Sequence, residues 1–223
     1  MAEVALVCGA GGALGAALLE ALLGRGDRVV AVVHHPDDSP APPGVRREAV
    51  DLTAPAAVER LWQRLAEAGE TPRWVVNAAG GFRAGSVADS EPTDVRLLEE
   101  LNLGTAWWSC REAARHLPEG GAIVNVAARA ARSGGAGSAA YAVAKAGVVR
   151  LTEVLASELA PRGVRVNVIL PSLIDTAANR ETMSSDALRH AVATSDLASV
   201  VGFLLSEAAA AVTGAAIPVY GFA

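Results

Sequence analysis

Cysteine is nearly absent from this 223-residue chain, which has only Cys8 and Cys110. They lie far apart and outside any metal-ligand spacing. That excludes a disulfide framework and a thiolate metal site, and leaves two buried free thiols in a reducing cytoplasm as the expectation. Aromatic residues supply 4% of the chain although 52% of it is apolar. The core must therefore be Ala, Val, Leu and Gly, a mix suited to small-residue helices packed closely on a buried sheet. No basic run occurs, and acidic and basic residues are interspersed to a net charge of −5. Neither a nucleic-acid footprint nor a membrane-surface patch fits that pattern. His116 and His190 have no neighbours in sequence that suggest a metal site, so none is expected.

The one long apolar run, Val4 to Leu23, has the composition of a signal peptide or membrane span but lacks its grammar. No Lys or Arg precedes it, Glu3 and Glu20 bound it, and Gly9, Gly11, Gly12 and Gly15 interrupt it. A soluble, cytoplasmic protein is expected. The length suits one large α/β domain over residues 1–223, with no internal repeat. Pro36 to Gly44 is the only linker-like stretch and is too short to separate domains.

The chain alternates strand-like and helix-like segments. Glu3 to Cys8 reads as a strand buried on both faces; Gly9-Ala-Gly-Gly-Ala-Leu-Gly15 follows, then a helical pattern from Ala16 to Gly24. Strand, glycine turn and helix together favour a pyrophosphate, because the turn brings backbone N–H groups and a helix N-terminus close to it. Arg28 to His34 is a second strand. An acid at its end would hold a ribose 2′-OH and reject a 2′-phosphate, but Val33, His34 and His35 stand there, and Asp37 and Asp38 come later. Val45 to Val50 is a third strand, ending at Asp51-Leu52. A helix from Thr53 to about Ala68 follows, with Pro55 in its first turn. Arg73 to Asn77 is a fourth strand, with the small-residue loop Ala78-Ala-Gly-Gly81 at its carboxyl end, where ligands gather in open parallel sheets.

Asp94 to Leu117 reads as one long helix, on which Asn102 points at solvent and Trp107-Trp108 belong to core or subunit interface. Gly121 to Ala127 and Arg165 to Leu170 are the fifth and sixth strands. Pro171-Ser-Leu-Ile-Asp-Thr176 leads into Ala177 to Ser195, expected to be a mobile substrate lid rather than a packed helix. Its Arg180, Glu181, Arg189 and His190 suit a polar or acidic substrate. Asp196 is expected to cap a helix running to Ser206, and Ala215 to Val219 to form a last edge strand. The alternation predicts a Rossmann-like, doubly wound parallel sheet in a three-layer α/β/α arrangement.

Tyr141 and Lys145 stand in Ser138-Ala-Ala-Tyr-Ala-Val-Ala-Lys-Ala-Gly147. Four residues apart on a helix, phenol and ammonium project side by side. The ammonium is expected to lower the phenol pKa and make a proton donor usable near neutral pH.

With these residues assembled, the chain resembles the short-chain dehydrogenase/reductase family over nearly its whole length. The match comprises the glycine turn, Asp51-Leu52, Asn77-Ala-Ala-Gly80, Asn102, Tyr141-x3-Lys145 and Pro171 through Thr176, in family order. The resemblance implies a single Rossmann-like domain that binds NAD(H) or NADP(H), the choice left open, and moves hydride to or from a small carbonyl or alcohol. It assigns Tyr141 as acid/base, Lys145 to the nicotinamide ribose, and Asn102 to a water that relays protons. Gly9, Gly11, Gly12, Ala13, Leu14 and Gly15 would cradle the pyrophosphate, with Asp51 and Leu52 at the adenine; His34 and His35, at the end of the second strand, could serve in place of an arginine to hold an NADP 2′-phosphate. Asn77, Ala78, Ala79 and Gly80 would line the cofactor alongside Pro171, while Ile174 and Thr176 would meet the carboxamide. The helices around Trp107 and from Tyr141 onward resemble family packing surfaces, which implies a homodimer or homotetramer.

Two departures qualify the resemblance. Cys8 and Ala13 replace a Thr and the middle Gly of the family's turn; the added methyl at Ala13 is tolerable where φ is negative. The substrate-polarising serine, thirteen residues before the tyrosine, falls on Ala128, and Val126-Ala-Ala-Arg-Ala130 has no hydroxyl. Losing one oxyanion donor typically costs about 2.7–4 kcal/mol. One branch, the dihydropteridine reductases, is similar in both departures and in Ala79-Gly-Gly-Phe82, Leu170-Pro-x-x-x-Asp-Thr176, Asn179-Arg180 and Met183. A quinonoid substrate of that kind takes hydride without a strong oxyanion. Two further readings follow from Ala128: a cofactor-binding protein without redox turnover, and a cyclase, dehydratase or isomerase on the same scaffold.

Overall fold

The computed structural model describes residues 2–35 and 41–221. Asp37 and Asp38, the late acids after the second strand, lie outside the described residues. Seven strands form one parallel sheet: β1 (Val4–Cys8), β2 (Arg28–Val33), β3 (Val45–Ala49), β4 (Trp74–Asn77), β5 (Ala122–Val126), β6 (Arg165–Pro171) and, at the far edge, the strand Ala216–Val219. The order across the sheet is β3-β2-β1-β4-β5-β6 and then that last strand. Every neighbouring pair is parallel. The central strands β1, β4 and β5 are buried at every position because helices cover both faces, which is why they read as unbroken apolar runs. The β3 edge carries Arg46 and Glu48, tied by ion pairs to Glu70 and Arg64, and charge of this kind guards an open edge.

The helices follow their apolar periods. In α1 (Ala13–Gly24), Leu14, Leu18 and Leu22 face the sheet. In α2 (Pro55–Glu67), Pro55 sits in the first turn and Val58, Leu61, Trp62 and Leu65 make the buried stripe, each worth roughly 1.5–3 kcal/mol. The helix expected from Asp94 to Leu117 is instead two, α3 (Pro92–Glu99) and α4 (Thr105–His116), joined through a π-helical turn at Glu100–Gly104. The extra residue in that turn rotates Asn102 away from solvent, and it is buried. After β5 a 3₁₀ turn, Arg129–Ala131, leads to α5 (Ala139–Leu159). Its buried residues include Lys145, Val148, Thr152, Leu155 and Leu159, so Lys145 is carried inward by the register of an otherwise apolar stripe.

Ala177 to Ser195, expected without packed helix, contains α6 (Ala177–Thr182) and α7 (Ser185–Leu188), each started by a hydroxyl cap, Thr176 and Ser184. The short strands β7 (Ile174–Asp175) and β8 (Val192–Ala193) pair in parallel and close the segment at its base. The final helix, α8 (Thr194–Leu205), starts with Ala193 as cap, and Asp196 sits in its first turn, where a carboxylate favours the helix dipole. The edge strand Ala216–Val219, β9, stands where expected. Cys8 and Cys110 are free and buried, and among the described residues no helix is long and apolar enough to cross a membrane.

One contact fixes how β1 meets β4. Gly9 has φ +89°, and a Cβ there would come within 2.6 Å of the Ala79 backbone nitrogen. Gly9→Ala therefore combines backbone strain with a backbone clash, and we expect a loss of about 2–4 kcal/mol. A urea titration reads this as a lower midpoint at unchanged slope; a midpoint equal to the parent's would show that the turn relaxes freely.

Candidate active site

The carboxyl ends of β1, β2 and β4 open onto a cleft of 740 Å³. Gly9, Gly11 and Gly12 form one wall, Ala78, Ala79 and Gly80 another, and His34, His35, Asp51 and Leu52 close one end. Gly12 stands at the N-cap of α1 with no side chain to occupy the first-turn N–H groups, which leaves them as donors for an anion. Ala13 opens α1, and no non-glycine among the described residues has positive φ, so its methyl is accommodated. At the end of β2 the rings of His34 and His35 meet edge to face at 4.4 Å between centroids. Asp51 accepts from the Thr53 backbone N–H at 2.9 Å and the Thr53 hydroxyl at 2.6 Å, and these bonds hold its carboxyl below the usual range.

Leu97, Leu101 and Thr105 also line the cleft, and sequence reasoning missed them. They recur every four residues, a spacing that marks one helical face and could have found them.

Asn77 does not line this cleft. Its Nδ2 donates to Asn125 Oδ1 at 2.8 Å and lies 3.4 Å from Cys110 Sγ, while Asn125 Nδ2 reaches Thr152 Oγ1 at 2.9 Å. The amide ties β4 to β5 and α5 inside the sheet. Burial pushes the Cys8 thiol up to about 11 and the Cys110 thiol up to about 12, so neither is a nucleophile.

The polar centre assembles around Gly80. A Cβ built on Gly80 would lie 2.6 Å from Asn102 Oδ1 and 3.1 Å from Lys145 Nζ, so both side chains converge on this backbone. Asn102 donates from Nδ2 to the Gly81 and Leu98 carbonyls, each at 2.9 Å, and its Oδ1 accepts from the Gly81 N–H at 3.2 Å. The amide thus clamps both backbone groups of Gly81, and one lone pair on Oδ1 is left over.

Lys145 Nζ donates to the Val126 carbonyl at 2.9 Å and lies 5.9 Å from the Tyr141 ring centre. Burial lowers its pKa to about 8. The Tyr141 pKa is raised, through desolvation, so the expected lowering by the ammonium is not found in the chain on its own. Burial outweighs the lysine because the ammonium is directed at Val126.

Phe82 meets Tyr141 edge to face, ring centroids 5.1 Å apart, yet is itself 61% exposed. The loop carrying Phe82 is fastened to the start of α5, where the Gly85 N–H donates to the Gly137 carbonyl at 2.9 Å.

Ala128 ends the run after β5 in extended conformation and is buried. The Ser133 hydroxyl donates to the Arg129 carbonyl at 3.3 Å and the Ser138 hydroxyl to the Gly135 carbonyl at 2.9 Å. Neither takes over the place Ala128 leaves without a hydroxyl. Pro171 ends β6, Ile174 starts β7 and Thr176 caps α6 through the Asn179 N–H at 3.2 Å; all three stand outside the 740 Å³ cleft. In the segment from Ile174 to Ser195, Arg180 forms a two-point pair with Asp175 at 2.6 and 2.7 Å, and Arg189 pairs with Asp186. The lid arginines expected to meet an acidic substrate are thus bound to the protein's own carboxylates. Among the described residues no group of His, Cys, Asp or Glu is placed to hold a metal.

The family model described as enoyl-(acyl carrier protein) reductase matches residues 9–221. D-threitol dehydrogenase of Mycolicibacterium smegmatis is 31% identical, covering 98% of this chain and 92% of its own. A short-chain dehydrogenase/reductase from Serratia marcescens superposes with a TM-score of 0.90 at 26% identity, over 99% of this chain and 97% of its own. A blue fluorescent protein from a metagenomic library, solved in complex with NADPH, superposes with a TM-score of 0.87 at 26% identity, over 99% and 98%. With the glycine turn, the Asn102–Lys145–Tyr141 cluster and the seven-stranded parallel sheet, these matches establish that the chain belongs to the short-chain dehydrogenase/reductase family.

Proposed function

We propose that this chain is an NAD(P)-dependent oxidoreductase moving hydride between nicotinamide and a small carbonyl, imine or quinonoid substrate, with Tyr141 as acid/base. The observation that carries the reading is the convergence of Asn102 and Lys145 on Gly80, with Tyr141 one helical turn from the ammonium. The bound dinucleotide supplies or accepts the hydride. The N–H groups of Gly11 through Gly15 would hold its pyrophosphate, Asp51 and Leu52 the adenine, and Lys145 the nicotinamide ribose; Ile174 and Thr176 would meet the carboxamide. With Val33 and His34 rather than an acid at the end of β2, the site accepts NAD(H) or NADP(H). NADPH in one structural neighbour supports a nicotinamide nucleotide here.

In the reducing direction Tyr141 must start protonated, and its raised pKa secures that. Lys145 supplies positive charge beside the phenol as its proton leaves, and Asn102 fixes the Gly80–Gly81 backbone against the ammonium and offers its free lone pair to a relaying water. Phe82 gives a planar substrate an aromatic wall next to Tyr141, and this favours a quinonoid ring of the dihydropterin kind within the wider class. Trp107, Val143 and Val154 are about half exposed or more on α4 and α5, so a homodimer or homotetramer built on those faces would cover them. Free buried thiols accord with a cytoplasmic enzyme.

Ala128 favours one competing reading, nucleotide binding without turnover. Two variants separate them. Tyr141→Phe should reduce consumption of reduced nicotinamide by about 10²-fold or more over a carbonyl, imine and quinonoid panel, with nucleotide affinity within about twofold of the parent. Turnover equal to the parent's would remove Tyr141 from the chemistry. Ala128→Ser restores a donor at the developing oxyanion and should speed reduction of a simple ketone about tenfold or more in kcat, against an upper range of about 10²–10³; no gain would favour the non-redox reading.

The buried ammonium can be read without a substrate. Lys145 falls from an ordinary 10.5 to about 8, so below pH 8 folding carries the cost of a buried charge. Between pH 8 and 10.5 the unfolded chain binds more protons at this site, so the cost is relieved as pH rises. The stability of Lys145→Met minus that of the parent should therefore shrink across that window, by up to about 3 kcal/mol; a difference independent of pH would place the ammonium in contact with water.

A further inference from the structure

Most arginines in this protein are neutralised by its own groups, and the site is no exception. Arg83 is paired with Asp94, Arg180 with Asp175 and Arg189 with Asp186. Arg129 and Arg132, like Arg60, Arg96 and Arg162, have no carboxylate partner among the described residues, in a chain with five more acids than bases. Both belong to the 3₁₀ turn after β5, where the Arg132 N–H donates to the Arg129 carbonyl at 3.0 Å. Arg129 opens that turn and Arg132 caps its end, and both residues are exposed.

Arg129 is held in place nonetheless. Its guanidinium carbon lies 5.2 Å from the centre of the Tyr220 ring. Tyr220 is half-buried against the cluster that includes Ala127 and Leu170, and its carbonyl accepts the Ser172 hydroxyl at 3.1 Å. Stacking on a ring orders a guanidinium without neutralising it, and leaves its N–H fork open for a planar two-oxygen acceptor. The position is informative as well: Arg129 follows Ala128 directly, at the ends of β5, β6 and β9. Val126, two residues before Ala128, receives the Lys145 ammonium.

We propose that Arg129, seconded by Arg132, binds an anionic group of the substrate, a carboxylate or a phosphate ester, and so orients the reacting carbon toward Tyr141. The assignment rests on the oxidoreductase reading for what happens next, but not for the binding itself. Arg129 would then supply orientation at the place where the serine supplies polarisation in relatives that have it. Arg129 is exposed, but its stacking on Tyr220 orders the fork, and a two-point charge-assisted contact there is expected to be worth tenfold or more in affinity.

The test is calorimetric, on protein loaded with oxidised nicotinamide nucleotide so that no turnover is needed. Benzoylformate is compared with its methyl ester, and dihydroxyacetone phosphate with dihydroxyacetone, which separates a carboxylate from a phosphate. At least one anion should bind ten times more tightly than its neutral counterpart, and the advantage should weaken with added salt. Arg129→Ala should abolish that preference to within about threefold, and Arg129→Lys should keep part of it, since a point charge lacks the fork. Equal binding of anion and neutral counterpart in the parent, or a preference that survives Arg129→Ala, would overturn the proposal. So would a tenfold loss of nucleotide affinity in Arg129→Ala, which would move the guanidinium onto the cofactor. A confirmed anion preference alongside zero consumption of reduced nicotinamide would keep this site and remove the redox reading instead.

Discussion

A charged amine taken out of water and given one carbonyl is the constraint around which this protein is arranged. Lys145 is carried to the end of β5 by the same helical stripe that buries Val148, Thr152 and Leu155, so its position follows from the packing of α5 on the sheet. Once there, its ammonium has the Val126 carbonyl and little else, and burial lowers its pKa to about 8. Such a site is unfavourable for folding by itself. What it gains is a positive charge that a ribose or a departing phenol proton will feel strongly, because so little water screens it.

The rest of the centre is backbone, and the side chains exist to hold it. Asn102 grips both the N–H and the carbonyl of Gly81, and it can do so because the π turn at Glu100–Gly104 brings it inward. Gly9 approaches Ala79 so closely that β1 and the loop after β4 pack backbone to backbone, with no room for a side chain between them. The cleft between them is therefore walled by main chain from two adjacent strands. If the cleft holds the dinucleotide as proposed, backbone N–H groups from a turn and a helix start would do the work that arginines do elsewhere.

Much of this was legible from residue order. The buried strands announce themselves because both faces are covered, and β1, β2, β4, β5 and β6 fall within a residue or two of expectation. The same double coverage hides direction: with no polar face to compare, nothing in Trp74–Asn77 tells that Asn77 points into the sheet toward Asn125. The π turn was invisible because one extra residue hardly disturbs an apolar period, and so Asn102 was expected at the surface. The lid helices are six and four residues long, too short for a period to register, although their hydroxyl caps Thr176 and Ser184 were there to read. Spacing placed Lys145 beside Tyr141 correctly but could not weigh burial against charge, and burial prevails at the phenol.

That last balance bears on the missing serine. Burial holds the proton on the Tyr141 phenol in the chain on its own. Under the proposed mechanism, proton donation and oxyanion polarisation are separate contributions, and Ala128 would leave only the first. A substrate whose charge is delocalised as hydride arrives needs that second contribution least. Phe82, exposed and edge-on to Tyr141, presents an aromatic wall to such a planar, conjugated molecule. On the proposed reading, the hydroxyl-free Ala128 and the aromatic wall of Phe82 would express one preference: polarisation by the protein giving way to delocalisation within the substrate.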